Sequence, residues 1–425
     1  MTPIERFQYY RDRIQSLNPQ LNAFVSLRFE EAEADAEASQ QRHDNGRALS
    51  PIDGWCIGVK ANIAVKGMPH HAGIAAYKDV IAPEDAVAVA RLRAAGAVIL
   101  GIVNMHEGAL GATTDNEAFG RTQNPWKHGY TPGGSSGGSG SAVSATLCDV
   151  ALGSDTMGSV RIPSAYCGVQ GHKPTTHLVP DDGVIALSYT LDHVGPHARS
   201  VDELAAVLAV LSDQAVVTQK VDLSDLRIGI WDGAGDVALD GDVEAGFANV
   251  VAKLKSAGAS LESVTPPEYL YGKSRRAGLL ISECEAAEVH AEKLAENPDG
   301  FSPLFRKLMA WGVARPAQEL KDAYAHVKAV RDAAKAVFER FDFVIAPTAP
   351  QNAFSFDADV PANQADFTAW ADFAALPASA VYTGVSENGL PLSCQVMGPE
   401  GADARTLSAA SALERLFGQP PAPSI

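Results

Sequence analysis

The residues with the clearest chemical potential sit in two short glycine-rich stretches. The first is Thr131-Pro-Gly-Gly-Ser135-Ser136-Gly-Gly-Ser-Gly-Ser141. The second is Leu152-Gly-Ser-Asp155-Thr156-Met157-Gly158-Ser159-Val-Arg161-Ile-Pro163. Glycine lets the backbone approach a ligand closely and adopt conformations that other residues resist. Consecutive free N–H groups in such turns form an anion-binding nest. A nest beside a serine suits acyl transfer, in which an oxyanion develops as a hydroxyl attacks a carbonyl. A lone Gly/Ser loop ordinarily reads as a flexible linker. Two of them embedded in an apolar region do not.

Other motifs fail on context. Gly133 to Gly137 and Gly134 to Gly138 both spell G-x-S-x-G. A nucleophile elbow needs a buried strand immediately before it, whereas Lys127-His-Gly-Tyr-Thr-Pro132 is polar and holds a proline. No Gly-Lys-Ser/Thr follows the glycines, so a phosphate loop is excluded. His106-Glu107 begins like a zinc-protease motif, but Leu110 stands where the second histidine is required. His70-His71 has no spaced partners and reads as a surface or turn feature.

The elements that must position these turns alternate in type. Residues 1 to 48 are rich in Glu, Ala, Arg and Gln and read as helical. Asp85 to Ala95 reads as a helix with Arg91 and Arg93 in its last turn, closed by Gly96. Ala97 to Val103 is a continuous apolar run, as in a strand buried on both faces. A small-residue helix is expected at 142–147 and a strand near Val150. The pattern returns with a strand at 226–231, an amphipathic helix from Val243 to Leu254 and a strand at 261–264. Strands alternating with helices predict an α/β protein with a covered sheet. No linker or internal repeat divides the chain, so one compact catalytic unit is expected.

Composition narrows the class. A chain of 425 residues, 46% apolar and 20% charged, resembles an ordinary globular protein. The net charge of −17 argues against a phosphate-binding surface, so no nucleic-acid partner is expected. The five cysteines are odd in number and widely spaced, without C-x-x-C; neither a disulfide framework nor a zinc site follows. The first residues lack a secretory core, and no run approaches the roughly 20 apolar residues of a membrane span. A cytoplasmic location, no membrane partner and no metal or other cofactor are expected, with a homodimer as the default assembly.

These segments together resemble the amidase signature family. Gly-Gly-Ser135-Ser-Gly-Gly and Gly-Ser-Asp-Thr-Met-Gly-Ser159-Val-Arg-Ile-Pro carry its two serines, 24 positions apart. Gly58-Val-Lys60-Ala-Asn-Ile63 resembles its lysine motif. Asn104 to Gly111, Phe119 to Trp126, Cys167 to Thr175 and Leu191 to Pro196 continue the pattern. Gly389 to Gln395 follows it more loosely. The resemblance spans nearly the whole chain and is most specific over residues 51–200.

The resemblance implies a fold: one α/β domain over residues 1–425, a central twisted mixed sheet with helices on both faces. Residues 1–50 would form a helical segment, 51–200 the signature core and 201–425 the remainder of the same unit. It also implies roles. Ser159 would be the nucleophile, Ser135, after a cis Gly134–Ser135 bond, the relay, and Lys60 the base. Lysine acts as a base only when neutral, so Lys60 should be buried and without a carboxylate partner. Backbone N–H groups of Thr156, Met157, Gly158 and Ser159 would form the oxyanion hole, with Ala109 lining the substrate pocket. Asp155, Arg161 and Ser136 would support the turns.

Three departures from the family pattern stand out. Met157 replaces the commonest glycine, a position that would strain it by roughly 1–2 kcal/mol if positive φ were demanded. Ala61 replaces an acidic residue. Gly108 replaces a bulky aromatic, which predicts a wider pocket near Ala109. The activity implied is hydrolysis of a small carboxylic amide through a serine acyl-enzyme, releasing ammonia or an amine. The alternatives are a carbamoyl-type hydrolase of urea derivatives or the glutaminase subunit of a tRNA-dependent amidotransferase. The chain is shorter than typical members of that last group and shows no clear match to their glutamine-binding residues. The aromatics between Gln351 and Phe373 are expected to pack in the core rather than cap the pocket.

Overall fold

Apolar runs separated by helices pair into a single mixed sheet, seen in a computed structural model that describes residues 1–425. In chain order the strands are β1 (Phe24–Leu27), β2 (Cys56–Lys60), β3 (Val98–Val103), β4 (Val150–Asp155), β5 (Gln170–Lys173) and β6 (His193–Ala198). They continue with β7 (Arg227–Ile230), β8 (Ser260–Ser263), β9 (Phe343–Pro347), β10 (Ala378–Val385) and β11 (Pro391–Met397). Their spatial order is β1-β3-β2-β4-β6-β5-β10-β11-β9-β7-β8.

The continuous apolar runs have the expected cause, because side chains of one strand enter different clusters on the two faces, with strict alternation in β9 and a register irregularity near Leu100 in β3. In β3, Val98, Leu100 and Val103 pack with Phe7, Ile14 and Ala32 of the N-terminal helices. Ile99 and Ile102 pack with Leu92, Leu204 and Leu413 from helices on the other side. In β9, Val344 and Ala346 join Trp370 and Val337, while Phe343 and Ile345 join Phe247 and Leu254. Both faces are thus covered, and the sheet is sealed from water over most of its width.

Differences from the sequence reading are local. Residues 1–48 are two helices, Pro3–Leu21 and Phe29–Asp44, separated by β1, which pairs antiparallel with β3. Four residues are too few for periodicity to reveal a strand. The helix expected at 142–147 runs from Gly137 to Ser144, entirely buried. Its glycines allow contact: a Cβ on Gly138 would meet Asn104 O at 2.3 Å. β8 is an exposed edge strand rather than a covered one. The helix closed by Gly96, Val87–Ala94, forms with basic residues in its last turn.

Candidate active site

β2 lies between β3 and β4 and is parallel to both, so the three strands end on the same side of the sheet. Ligands in such sheets gather beyond the carboxyl ends of the strands. Lys60 is the last residue of β2 and is fully buried. Its Nζ lies 2.8 Å from Ser135 Oγ, 2.8 Å from Ser154 Oγ and 3.3 Å from the Ser154 carbonyl. No carboxylate pairs with it. Burial lowers its pKa to about 7, against a weaker pull from Asp192 and Asp155. A neutral amine has two N–H donors and one lone pair. The ammonium form would donate to all three neighbours, whereas the neutral form can give its two N–H groups to Ser154 Oγ and O and turn its lone pair to the Ser135 hydroxyl.

Ser135 and Ser136 are buried with no exposure, and the Gly134–Ser135 peptide is cis. Ser136 ties the first turn to β4: its Oγ donates to Ser154 O at 3.1 Å and accepts from Ser154 N at 3.3 Å. Its backbone N–H donates to Ser159 O at 3.3 Å, joining the two glycine turns. Ser159 is half-buried and lines an open cleft. The structure therefore brings Lys60 and Ser135 into hydrogen-bond contact. It holds the Ser159 turn against them through Ser136, without a hydrogen bond between the Ser135 and Ser159 hydroxyls.

Beyond β4 the chain turns sharply at Gly158, whose φ of +132° lies where an L side chain is strained. Met157 has no positive φ, so the strain considered for it does not arise. Its sulfur packs instead in the space above Gly278, beside Phe373. The N–H groups of Thr156, Met157 and Ser159 make no hydrogen bond within the chain. Gly158, expected as a fourth oxyanion donor, differs: its N–H is taken by Asp155 Oδ1. Thr156 is held by its Oγ1, which donates to Asp192 Oδ1 at 2.6 Å. Burial pushes Asp192 up to about 6.

Asp155 and Arg161 form the anchor of this turn. Both side chains are fully buried and paired at 3.0 Å. Asp155 Oδ2 also accepts from Val160 N at 3.1 Å. Burial opposes ionisation of Asp155, but Arg161 outweighs it and holds the carboxyl well below its usual range. Arg161 continues to Asp372 at 2.6 Å, the Thr368 carbonyl at 2.8 Å and Gln395 Oε1 at 3.1 Å. One guanidinium thereby fastens the second turn to the distant 368–395 region. Neighbouring side chains in β4 divide the work, with Ser154 on Lys60 and Asp155 on Arg161.

The cleft encloses about 230 Å³ and is mostly apolar. Ala109 lines it, in a left-handed conformation at φ +60°. Gly108 does not widen it. A Cβ there would lie 2.3 Å from Phe305 Cζ, so the phenyl ring fills the space that the missing side chain leaves. Phe367, Trp370 and Phe373 are core residues, and Val360, Pro361 and Ala365 of that region reach the cleft instead. His71, expected at the surface or in a turn, is buried and stacked on Phe119 at 3.9 Å. The sequence reading passed over Ser154, Asp192, Asp372 and Gln395, and over Asn62, whose Nδ2 donates to Ser154 Oγ at 3.1 Å. Ser154 had a signal: alternation in a strand beside β2 puts a hydroxyl next to the lysine. Asp372 and Gln395 had none, because they reach Arg161 from over two hundred residues away.

A sheet that brings a buried lysine and two serine turns to one cleft defines a hydrolase of C–N amide bonds. The chain belongs to the Amidase family, which it matches over residues 5–407. It is 33% identical to a glutamyl-tRNA(Gln) amidotransferase subunit from Synechococcus sp. (strain RCC307), over 100% of this chain and 97% of that protein. Among solved structures it resembles an amidase crystal structure (TM-score 0.91, 30% identity), covering 98% of this chain and 97% of that one. It also resembles a protein from a vestigial complex described as revealing the origins of an s-triazine catabolic enzyme. That match has a TM-score of 0.90 and 30% identity, and covers 100% of this chain and 97% of the other.

Proposed function

We propose that the chain hydrolyses a C–N amide through an acyl-enzyme on Ser159, with Lys60 as base and Ser135 as proton relay. The observation that carries this reading is Lys60: wholly buried, hydrogen-bonded to hydroxyls and a carbonyl alone, with burial lowering its pKa to about 7, so that a neutral fraction is present near that pH. Ser159 Oγ attacks the amide carbon. Its proton passes to Ser135, whose own proton passes to Lys60. The oxyanion receives the N–H groups of Thr156, Met157 and Ser159. Collapse of the tetrahedral adduct breaks the C–N bond, and the proton returns through Ser135 to the leaving nitrogen. Water then repeats the sequence and frees the acid. Labelling by a fluorophosphonate tests this: Ser159→Ala should lose the label and Ser136→Ala should keep it.

Two readings of the substrate follow from different observations. The apolar lining of Ala109, Met157, Ile162 and Leu279 supports a small amide with an apolar acyl group. The amidotransferase relative supports glutamine as the ammonia source, with a partner to receive it. Ammonia release by the purified chain separates them. Turnover of simple amides with none of glutamine supports the free-standing amidase, and turnover of glutamine supports the amidotransferase role. Carbamoyl compounds belong in the same panel.

A further inference from the structure

The wall of the cleft opposite the glycine turns is one face of the helix Tyr271–Val289. Arg275, Leu279 and Ser282, spaced i, i+4 and i+7, fall on that face and line the cleft with Ser159. Ser282 is 1% exposed, yet its Oγ makes no hydrogen bond. Buried hydroxyls are ordinarily partnered. Arg275 gives Nη1 to Asp366 at 2.5 Å, and its Nε and Nη2 donate to no other protein atom. Asp366 is itself largely buried and balances that charge. The pair thus presents N–H donors with little net charge at the same apolar wall. The helix is held firmly behind this face. Glu285 accepts from the hydroxyls of Ser188, Thr190 and Tyr324, and Leu187 of the same loop lines the cleft.

We propose that Ser282 and Arg275 bind a second oxygen acceptor on the substrate's acyl part, separated from the scissile carbonyl by an apolar segment that lies along Leu279. The substrate class is then an amide bearing a distal carbonyl or carboxylate rather than a simple alkyl amide. Three features converge on it: a buried hydroxyl with no partner, a guanidinium with donors to spare, and their common helix face toward the nucleophile. This rests on the amide hydrolysis assigned to Ser159. It adds what the glycine turns leave open, which is how the far end of the acyl group is recognised.

A matched series of primary amides tests it, with three to six carbons and ending in a methyl, a carboxamide or a carboxylate. The intact chain should show kcat/KM at least tenfold higher for one or both acceptor-bearing sets than for the methyl-ended set of equal length. Preference for the carboxamide alone identifies a neutral acceptor, and preference for the carboxylate an anionic one; either supports the proposal. Ser282→Ala should erase most of that preference by raising KM for the acceptor-bearing sets rather than by lowering their kcat. Its melting temperature should not fall, since the hydroxyl makes no contact to lose. Arg275→Gln, paired with Asp366→Asn to avoid stranding a buried carboxylate, should do the same. Equal turnover of all three sets by the intact chain, or a preference that survives both variants, overturns the proposal. That outcome leaves hydrolysis by Ser159 standing. Absence of turnover on every amide, or turnover that persists in Ser159→Ala, would instead remove the underlying reading and this one with it.

Discussion

The two walls of the cleft are built on different principles. The wall carrying Ser159, with Lys60 and Ser135 buried behind it, comes mainly from residues 109–162 and is made of glycine turns whose positions are set by contacts to the backbone. Gly138 touches Asn104, Ser136 N–H reaches Ser159 O, and Asp155 takes the Gly158 N–H. The opposite wall comes from residues 275–365 and is made of side chains on a helix and an irregular segment. The first can change little without losing its geometry. The second can change residue by residue. Such a division lets one chemistry serve many acyl groups, and it predicts that substitutions on the two walls fail in different kinetic parameters.

Substitutions on the backbone-built wall should strike kcat. The largest effect expected is from Ser159→Ala, which should lower kcat by roughly 10⁴–10⁶-fold; single-turnover ammonia release measures it. Lys60→Met keeps the stem length and removes the base. It should reduce kcat about 10²–10⁴-fold while circular dichroism shows an unchanged fold. If KM alone rose in either variant, the two walls would not be functionally distinct.

Arg161→Met breaks the clamp between the second glycine turn and the 368–395 region. It strands Asp155 and Asp372 in the interior and should cost about 3–5 kcal/mol, read from the denaturation midpoint in urea. A loss below 1 kcal/mol would mean that the second turn holds its shape without the 368–395 region.

The pH dependence sharpens the same contrast. The base works only when deprotonated, and burial sets Lys60 at about 7. Activity should therefore rise with pH through that value, and kcat/KM should fall roughly tenfold per pH unit well below it. A profile flat from pH 5 to 9, with chemistry limiting, would reject lysine as base. The smallest effect expected is from Ser154→Ala, which removes one of the amine's two acceptors. A several-fold fall in kcat and a displaced pH midpoint are predicted, with KM unchanged.

The same difference between the walls explains what could be read from the residues in order. Glycines and serines at fixed spacing mark the first wall because its geometry is backbone geometry, and only certain residues permit it. Gly96 as a helix stop, the buried run of β3 and the strand β4 were legible for the same reason. The four-residue β1 was not, since so short a segment carries no period. Nor was the identity of the second wall. Arg275 and Ser282 look like ordinary polar positions on a helix, and their meaning depends on which way tertiary packing turns that helix. Gly108 misled in a similar way, because Phe305 lies almost two hundred residues beyond it and fills the space it vacates.

The neighbouring side chains Ser154 and Asp155 of β4 carry a further consequence. Strand side chains alternate with a period of two, so deletion of one residue within β4 would exchange the two between faces. A carboxylate would then replace the hydroxyl beside Lys60 and restore its proton affinity, and Arg161 would lose its partner. Such a chain could still assemble most of its sheet while being chemically silent at neutral pH. Relatives that have lost activity but keep the architecture are therefore worth screening for length changes in this one strand, before any search for a missing serine.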